Sequence, residues 1–302
     1  LCQAYVTDCS PPMDRASNLG IFQGLSVGFA FTFAFPIGGL LGARFGPRIP
    51  LLVAAALQFI NALIIIFITP ESNPPRQGAK LDLRQANPVG GLVRLFGHSG
   101  LLRAASATYF LTALARCSLD AQFVNYSSLR FGWTQAQSGP VLVLVGLMVG
   151  IVPRILVPIL GLQSAILFGL LVLAAGLVGA GLSPTPQGFV FSIFVVSVGC
   201  VCNPALQALL ANLARPGERG ALLGAVGSLN ELTGAMGSTL YAVILGLYTS
   251  EKAPLPLPGM HFLVGAGFLI LAWGVALQGF RTNKGHSALE ENDIPTPDLD
   301  LM

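Results

Sequence analysis

A few charged residues sit inside long apolar runs, and their spacing limits what they can do. Arg116 and Asp120 stand four apart between Arg103 and Arg130. On a helix, residues at that spacing share a face and neutralise each other. Ionisable groups within a bilayer cost about 2.5–3.5 kcal/mol each on insertion scales and mark solute or ion pathways. Counted from Leu101 at the helical rise, the two lie about 22 and 28 Å along their helix. The pair predicts a carboxylate that takes a proton or meets a solute; a structural ion pair or outer gate is the competing reading. Glu231 lies about 18 Å beyond Arg219, with no basic residue near it in sequence. A carboxyl at that depth is expected to be neutral or partnered across the bundle, and Asn230 beside it adds hydrogen-bonding capacity. Asn203 precedes Pro204, whose missing N–H frees a backbone carbonyl; it either lines a cavity or packs. His261 opens an apolar run and is either an outer pH sensor or a satisfied packing residue.

Other chemistry is not signalled. H-E-x-x-H, G-x-x-x-x-G-K-[ST] and G-x-S-x-G do not occur, so no enzyme is expected. Cys200-Val201-Cys202 lacks the two-residue spacing of a zinc knuckle. We therefore expect no metal and no cofactor. All five cysteines, Cys2, Cys9, Cys117, Cys200 and Cys202, read as small buried or interfacial residues.

These groups must be positioned by membrane-spanning elements. The 302 residues are 53% hydrophobic and 10% charged, whereas a soluble chain carries about a quarter charged. Sixteen basic against 13 acidic residues, spread along the chain, give no patch for nucleic acid. Segments 16–43, 49–70, 131–153, 155–214 and 253–280 contain no Asp, Glu, Lys or Arg. Each exceeds the roughly 20 residues that cross a bilayer as helix, and their continuous apolarity argues against the alternation of a β-barrel. The partner is thus a lipid bilayer and the fold class an all-α membrane protein.

Eight spans are predicted, near 20–41, 50–68, 102–120, 136–153, 163–182, 187–210, 220–248 and 260–280. Gly161-Leu162-Gln163 and Ser183-Pro184-Thr185-Pro186 mark breaks, and Thr134-x-x-Gln137 suits a capping box. Residues 69–101 form the longest polar stretch, within which Val89, Leu92, Val93 and Phe96 recur on one helical face. That pattern predicts a short amphipathic helix on the membrane surface. The stretch divides the chain: 1–68 ends one helical half, 69–101 links, 102–280 forms a six-helix half, and 281–302 is an acidic tail expected to be disordered. With the linker in the cytosol and the sides alternating, 11 basic residues fall on the cytosolic side and 4 opposite, which places the linker and C-terminus inside.

A weak internal repeat relates the two halves. Arg15-x4-Gly20-x3-Gly24 is echoed by Arg219-x4-Gly224-x2-Gly227. Leu1-Cys2-Gln3-Ala4-Tyr5-Val6 reads as the end of a helix already under way. Paired six-span halves then imply about 104 further residues ahead of residue 1. Gly24 and Gly28 read as close-packing positions.

Several short runs together resemble the major facilitator superfamily, in particular its tetracycline-efflux and hippocampus-abundant-transcript-like members. They are Ala4-Tyr5-Val6-Thr7-Asp8 with Asp14-Arg15, Pro70-Glu71-Ser72, Gln85-Ala86-Asn87-Pro88, Asn203-Pro204-Ala205-Leu206-Gln207-Ala208-Leu209-Leu210, and Pro258-Gly259 followed by Phe262-Leu263. The resemblance implies a two-half transporter fold moving a small organic solute by alternating access, with protons as coupling ion. It implies a cytosolic latch at Asp8, Arg15, Arg215, Glu218 and Arg219. It also matches Phe35-Pro36-Ile37-Gly38-Gly39 to the family's fifth-span antiporter motif, one position short of the full pattern. The turn from Arg154 to Gly161 keeps one charge where the family carries a cluster. A non-transporting endomembrane scaffold of the same fold is the alternative.

Overall fold

The computed structural model describes residues 2–11, 14–46, 48–70, 96, 100–133, 135–213, 219–250 and 253–292. Most of the linker with its amphipathic segment, Thr134, Arg215, Glu218 and residues 293–302 lie outside these.

The described residues form helices without strands. Helix α1 spans Cys2–Asp8 and α2 spans Arg15–Phe29. A π-helical turn at Ala30–Ala34 carries α2 into α3, Phe35–Phe45. The expected single span 20–41 is thus interrupted. Pro36 cannot donate to the carbonyl four residues back, at Thr32 inside the π turn, and the widened turn absorbs that mismatch. Helix α4, Arg48–Phe67, has no buried residue.

The second half begins with α5, Gly100–Asp120, and the short α6, Phe123–Phe131. Helix α7 runs Gln135–Leu160 and α8 Leu162–Leu182. The break between them falls at Gly161, whose φ of 75° favours glycine. Thr185 then caps α9, Pro186–Gly199, by accepting from the Gly188 N–H at 3.2 Å. Pro186 at the first helical position needs no partner for its nitrogen. Helix α10 spans Cys202–Leu213, α11 Arg219–Thr249 and α12 Met260–Asn292. The predicted span 187–210 is therefore two helices meeting at Cys200-Val201. Residues 281–292, expected within a disordered tail, are helical; Ser287-Ala288-Leu289-Glu290-Glu291 is a run of mostly good helix formers.

Among the described residues six helical stretches have the length and apolarity to cross a membrane: Arg48–Phe67, Ser138–Leu160, Leu162–Leu182, Pro186–Leu213, Ala221–Thr249 and Met260–Asn283. The other two expected spans are helical but less uniformly apolar or less continuous. One is divided by the π turn, and α5 carries Arg103, Arg116 and Asp120.

Packing centres on α8, α9, α10 and α12 with α5, while α2 lies along α7 and α1 touches α11. Small residues let the backbones approach, as expected where lipid supplies no hydrophobic drive between helices. A Cβ on Gly176 of α8 would stand 2.6 Å from the Val196 nitrogen of α9. Gly20 packs on Pro153 and so joins α2 to α7. Gly38 meets nothing nearby, and the side-chain environments of Gly24, Gly28, Pro36 and Gly39 lie outside the described set. Cys200 and Cys202 are buried, Cys117 is partly buried, and Cys2 and Cys9 are exposed. The last two, expected to be buried or interfacial, are exposed and sit on the short α1 and the turn after it.

Candidate functional site

The break between α9 and α10 organises the site. Pro204 has no N–H to give the Cys200 carbonyl four residues back. Asn203 supplies both replacements: its backbone N–H donates to that carbonyl at 3.1 Å and its Nδ2 at 3.3 Å. Asn203 is 5% exposed at this break.

Below the break, Asn203 and Gln207 fall on one face of α10 with Cys200, at the i, i+3, i+7 spacing of a helical stripe. Opposite stands a stripe of α5 formed by Tyr109, Arg116 and Asp120. The two are joined where Gln207 Nε2 donates to the Tyr109 hydroxyl at 3.3 Å. Seven residues further along each antiparallel helix, Arg116 comes near Cys200 and Cys202 at the break. The carbonyl end of α9 carries partial negative charge, which favours a guanidinium there. Tyr109 was not marked by the sequence, and Gln207 only as part of the run from Asn203 to Leu210. They are neutral, distant in sequence and outside any charge pattern.

Arg116 and Asp120 are brought together as expected, with Nη2 to Oδ2 at 3.0 Å. The pair is partly exposed: the side chains are 37% and 56% exposed. Asp120 is the last residue of α5. Exposure falls along the seam, since Tyr109 and Gln207 are each 5% exposed.

Glu231 and Asn230 are not part of this seam. Both are exposed on α11, and Glu231 has no ion pair among the described residues. No bundle partner for it is found among the described residues. Helix α11 nonetheless packs on α5: a Cβ on Gly237 would meet that of Cys117 at 2.5 Å. Cys117 Sγ reaches the Thr233 carbonyl at 3.5 Å.

At the linker end the segment before the linker meets the segment after it. Arg15 opens α2 and is 3% exposed. Its Nε donates to the Thr7 carbonyl in the last turn of α1 at 3.4 Å, a favourable place for a cation. Its Nη1 donates to Asn212 Oδ1 at the end of α10. Asp8, which closes α1, is partly buried and has a partner of its own. Arg219 opens α11. Of the expected latch, then, Arg15 crosses between the halves, and it does so to an amide that the sequence did not single out.

At the opposite end Tyr126 of α6, Phe189 of α9 and Phe262 of α12 form an aromatic cluster with centroids 5.1–6.1 Å apart. His261 is fully buried in it, with its ring 3.9 Å from Phe262 and 5.1 Å from Tyr126. A surface groove of about 470 Å³ between α7 and α9, lined by Leu144, Val190 and Phe194 among others, is apolar and separate from the polar seam.

Comparison with known proteins agrees with this architecture. The chain is 24% identical over 306 residues to the hippocampus abundant transcript 1 proteins of Homo sapiens and Mus musculus, covering 91% of this chain and 62% of theirs. It is 27% identical over 275 residues to the class C tetracycline resistance protein of Escherichia coli, covering 89% of this chain and 66% of that one. The chain thus spans about two thirds or less of the length of these relatives. The crystal structure of the human organic anion transporter MFSD10 (TETRAN) superposes with a TM-score of 0.71 at 22% identity, over 91% of this chain and 66% of that one. Residues 1–238 match the family model described as Major Facilitator Superfamily. With that match covering most of its length, on an all-helical fold of the same kind, this chain belongs to the Major Facilitator Superfamily.

Proposed function

We propose that the protein carrying this chain is a multi-pass secondary transporter of a small organic solute, coupled to protons and working by alternating access. The observation that carries the reading is the polar seam at an interrupted helix. Discontinuous spans facing polar side chains are where transporters of this kind bind solute. Solute enters the seam past Asp120 and Arg116 and moves toward Tyr109, Asn203 and Gln207. Glu231 and Asn230 are a second candidate for the proton path. Arg15, with Asp8, Arg215, Glu218 and Arg219, latches the linker end, and Pro36, Gly38 and Gly39 shape the bend of the first-half helix. The seam is exposed at Asp120 and buried toward Arg15, which suits a state closed at the linker end. With the linker and C-terminus in the cytosol, that is a state facing outward. Nothing in the seam resembles a catalytic constellation, and its neutral lining suits passage of a solute.

The test uses the full-length protein in sealed vesicles with an entrapped pH indicator and an imposed pH gradient. Small organic solutes are added one at a time and proton flux is recorded. Saturable, solute-dependent flux that disappears in Arg116→Gln is expected. Flux with no solute of a broad panel, from protein shown to be folded by its thermal transition, would overturn the transporter reading in favour of the scaffold.

A further inference from the structure

Helices α8 and α12 pack side by side and antiparallel. Near the end of α8 a Cβ on Gly181 would stand 2.9 Å from the carbonyl of Gly259, just ahead of α12, so the backbones are closed together there. At the linker end of the same pair the helices part. A cavity of about 200 Å³ lies between them, lined by Gln163, Ser164, Leu167, Leu277, Phe280 and Arg281. Three of these are apolar, and the other three bring N–H and O–H donors. No carboxylate is among them, and Arg281 has no salt bridge among the described residues. The start of α8, with Gly161 offering no side-chain cap, adds the partial positive charge of a helix N-terminus to that of Arg281. The cavity therefore suits an anionic, acceptor-rich group.

Two exposed stripes run into this cavity. On α8, Ser164 is followed by Phe168 and Leu171; on α12, Ile270, Leu271, Gly274 and Gln278 lead to Arg281. Steps of three and four residues keep each stripe on one helix face. The stripes lie on the spans Leu162–Leu182 and Met260–Asn283, so they face hydrocarbon. Ser164 and Arg281 stand within a turn of the span ends, at the level of the lipid head groups. An arginine at that level lays its stem along apolar surface and keeps its guanidinium at the interface. An anion arriving from water would use the donors and leave the apolar stripes unused, whereas a lipid uses both. The cavity is smaller than the roughly 300–1,000 Å³ that a drug-sized ligand fills, which limits the occupant to one small head group.

We propose that the cavity between α8 and α12 at the linker end binds one anionic phospholipid with a small head group. Basic pockets between spanning helices are where such head groups are held. The lipid phosphate lies on Arg281, whose planar fork meets two of its oxygens, and Gln163 and Ser164 complete the hydrogen bonds. The acyl chains lie along the exposed stripes of α8 and α12. Bound in this way the lipid bridges the two helices at the end where their own side chains leave them apart.

The site depends on the bilayer and not on transport. It is separate from the polar seam of α5 and α10, and it stands equally for a transporter and for a scaffold of this fold.

The experiment titrates the full-length protein in detergent micelles with phosphatidic acid, phosphatidylglycerol and phosphatidylcholine of identical acyl chains, and counts bound lipid by native mass spectrometry. The two anionic lipids should fill one tight site that phosphatidylcholine does not. Arg281→Gln should weaken that site about fivefold, the worth of one basic residue at an anionic surface. Arg281→Lys should keep part of the affinity, since an ammonium attracts phosphate without the fork. Ser164→Trp fills the cavity from an exposed position and should lose the site with Arg281 still present. Arg154 is exposed on α7 and outside the lining, so Arg154→Gln should bind as the wild type does. Phosphatidylglycerol should raise the thermal transition of the wild type and not that of Arg281→Gln; the transitions without lipid verify folding. Equal binding of phosphatidylcholine, wild-type affinity in folded Ser164→Trp, or an equal loss in Arg154→Gln would overturn the proposal. Displacement of the bound lipid by inorganic phosphate as readily as by short-chain phosphatidic acid would assign the cavity to free phosphate and overturn the lipid assignment.

Discussion

Arg15 and Arg116 each sit near a helix end, and they are held in opposite ways. Arg15 is almost wholly buried and donates to a backbone carbonyl and an amide oxygen contributed by two different helices. Carbonyl ends of helices and amide dipoles supply counter-charge to it there. Arg116 is more than one third exposed and pairs with a carboxylate on its own helix. The first contact ties together segments 197 residues apart; the second ties nothing to anything else. A cross-helix contact made of dipoles resists opening and suits a latch. An intrahelical ion pair, loosely screened and open to solvent, can change partners without moving a helix. The two ends of the bundle therefore differ in what an arginine is for.

Breaking the linker-end contact should have the largest effect. Arg15→Met keeps the stem's volume and removes the donors. Losing charge-assisted hydrogen bonds of this kind costs about 1.5–3 kcal/mol, so a lower thermal transition is expected. The buried thiols Cys200 and Cys202 report opening in a background where the exposed Cys2 and Cys9 are serine. Maleimide labelling of Cys200 and Cys202, mapped by peptide mass, should rise in Arg15→Met. Unchanged labelling and an unchanged transition would show that Arg15 merely fills space.

Arg116→Gln should separate function from stability at the other end. Exposed ion pairs contribute about 0–1 kcal/mol, so the thermal transition should stay close to wild type while solute-driven proton flux is lost. A large drop in stability would make the pair structural and dissolve the contrast with Arg15. Gln207→Leu probes the join between the two helices of the seam. Interhelical hydrogen bonds in membranes average about 0.6 kcal/mol and reach about 1.7. A shift within that range is expected, together with weaker solute binding as Tyr109 loses the partner that orients its hydroxyl. Full binding in a folded Gln207→Leu would remove Tyr109 and Gln207 from the site.

How much of this was legible in the sequence depended on how local its cause was. Breaks at Gly161 and at Pro184-Thr185-Pro186 are consequences of single residues, and both appear where the sequence puts them. The Arg116–Asp120 pair was readable because its two members share one turn of helix. The break at Cys200-Val201 was not expected, although its cause, Pro204, stands in plain view: a proline acts four residues upstream of itself, through the carbonyl it cannot serve. Pro36 hid the π turn in the same way. The Gln207–Tyr109 and Arg15–Asn212 contacts were out of reach, since polar residues 98 and 197 positions apart leave no periodicity to read. Glu231 shows the converse. Its depth along α11 made it conspicuous, yet the described bundle gives it no partner.

That last residue gives the smallest expected effect and the sharpest choice between two acids. Glu231 lies exposed on α11, two residues from Thr233 and so nearly opposite the face that packs on α5, and off the polar seam, while Asp120 is paired with Arg116. If the coupling proton does not ride on Glu231, Glu231→Gln should leave both solute exchange and gradient-driven accumulation near wild type, because the amide preserves shape and hydrogen bonding. Stability should move by less than about 0.5 kcal/mol, as for other exposed positions without a partner. The measurement pairs two assays on one vesicle preparation of the full-length protein: counterflow exchange, which needs no proton, and accumulation against a gradient, which does. Retained exchange with lost accumulation in Glu231→Gln would move the coupling proton to α11 and leave Arg116–Asp120 with recognition alone. Loss of exchange as well would mean that Glu231 meets the solute directly, and that the pathway is wider than the α5–α10 seam.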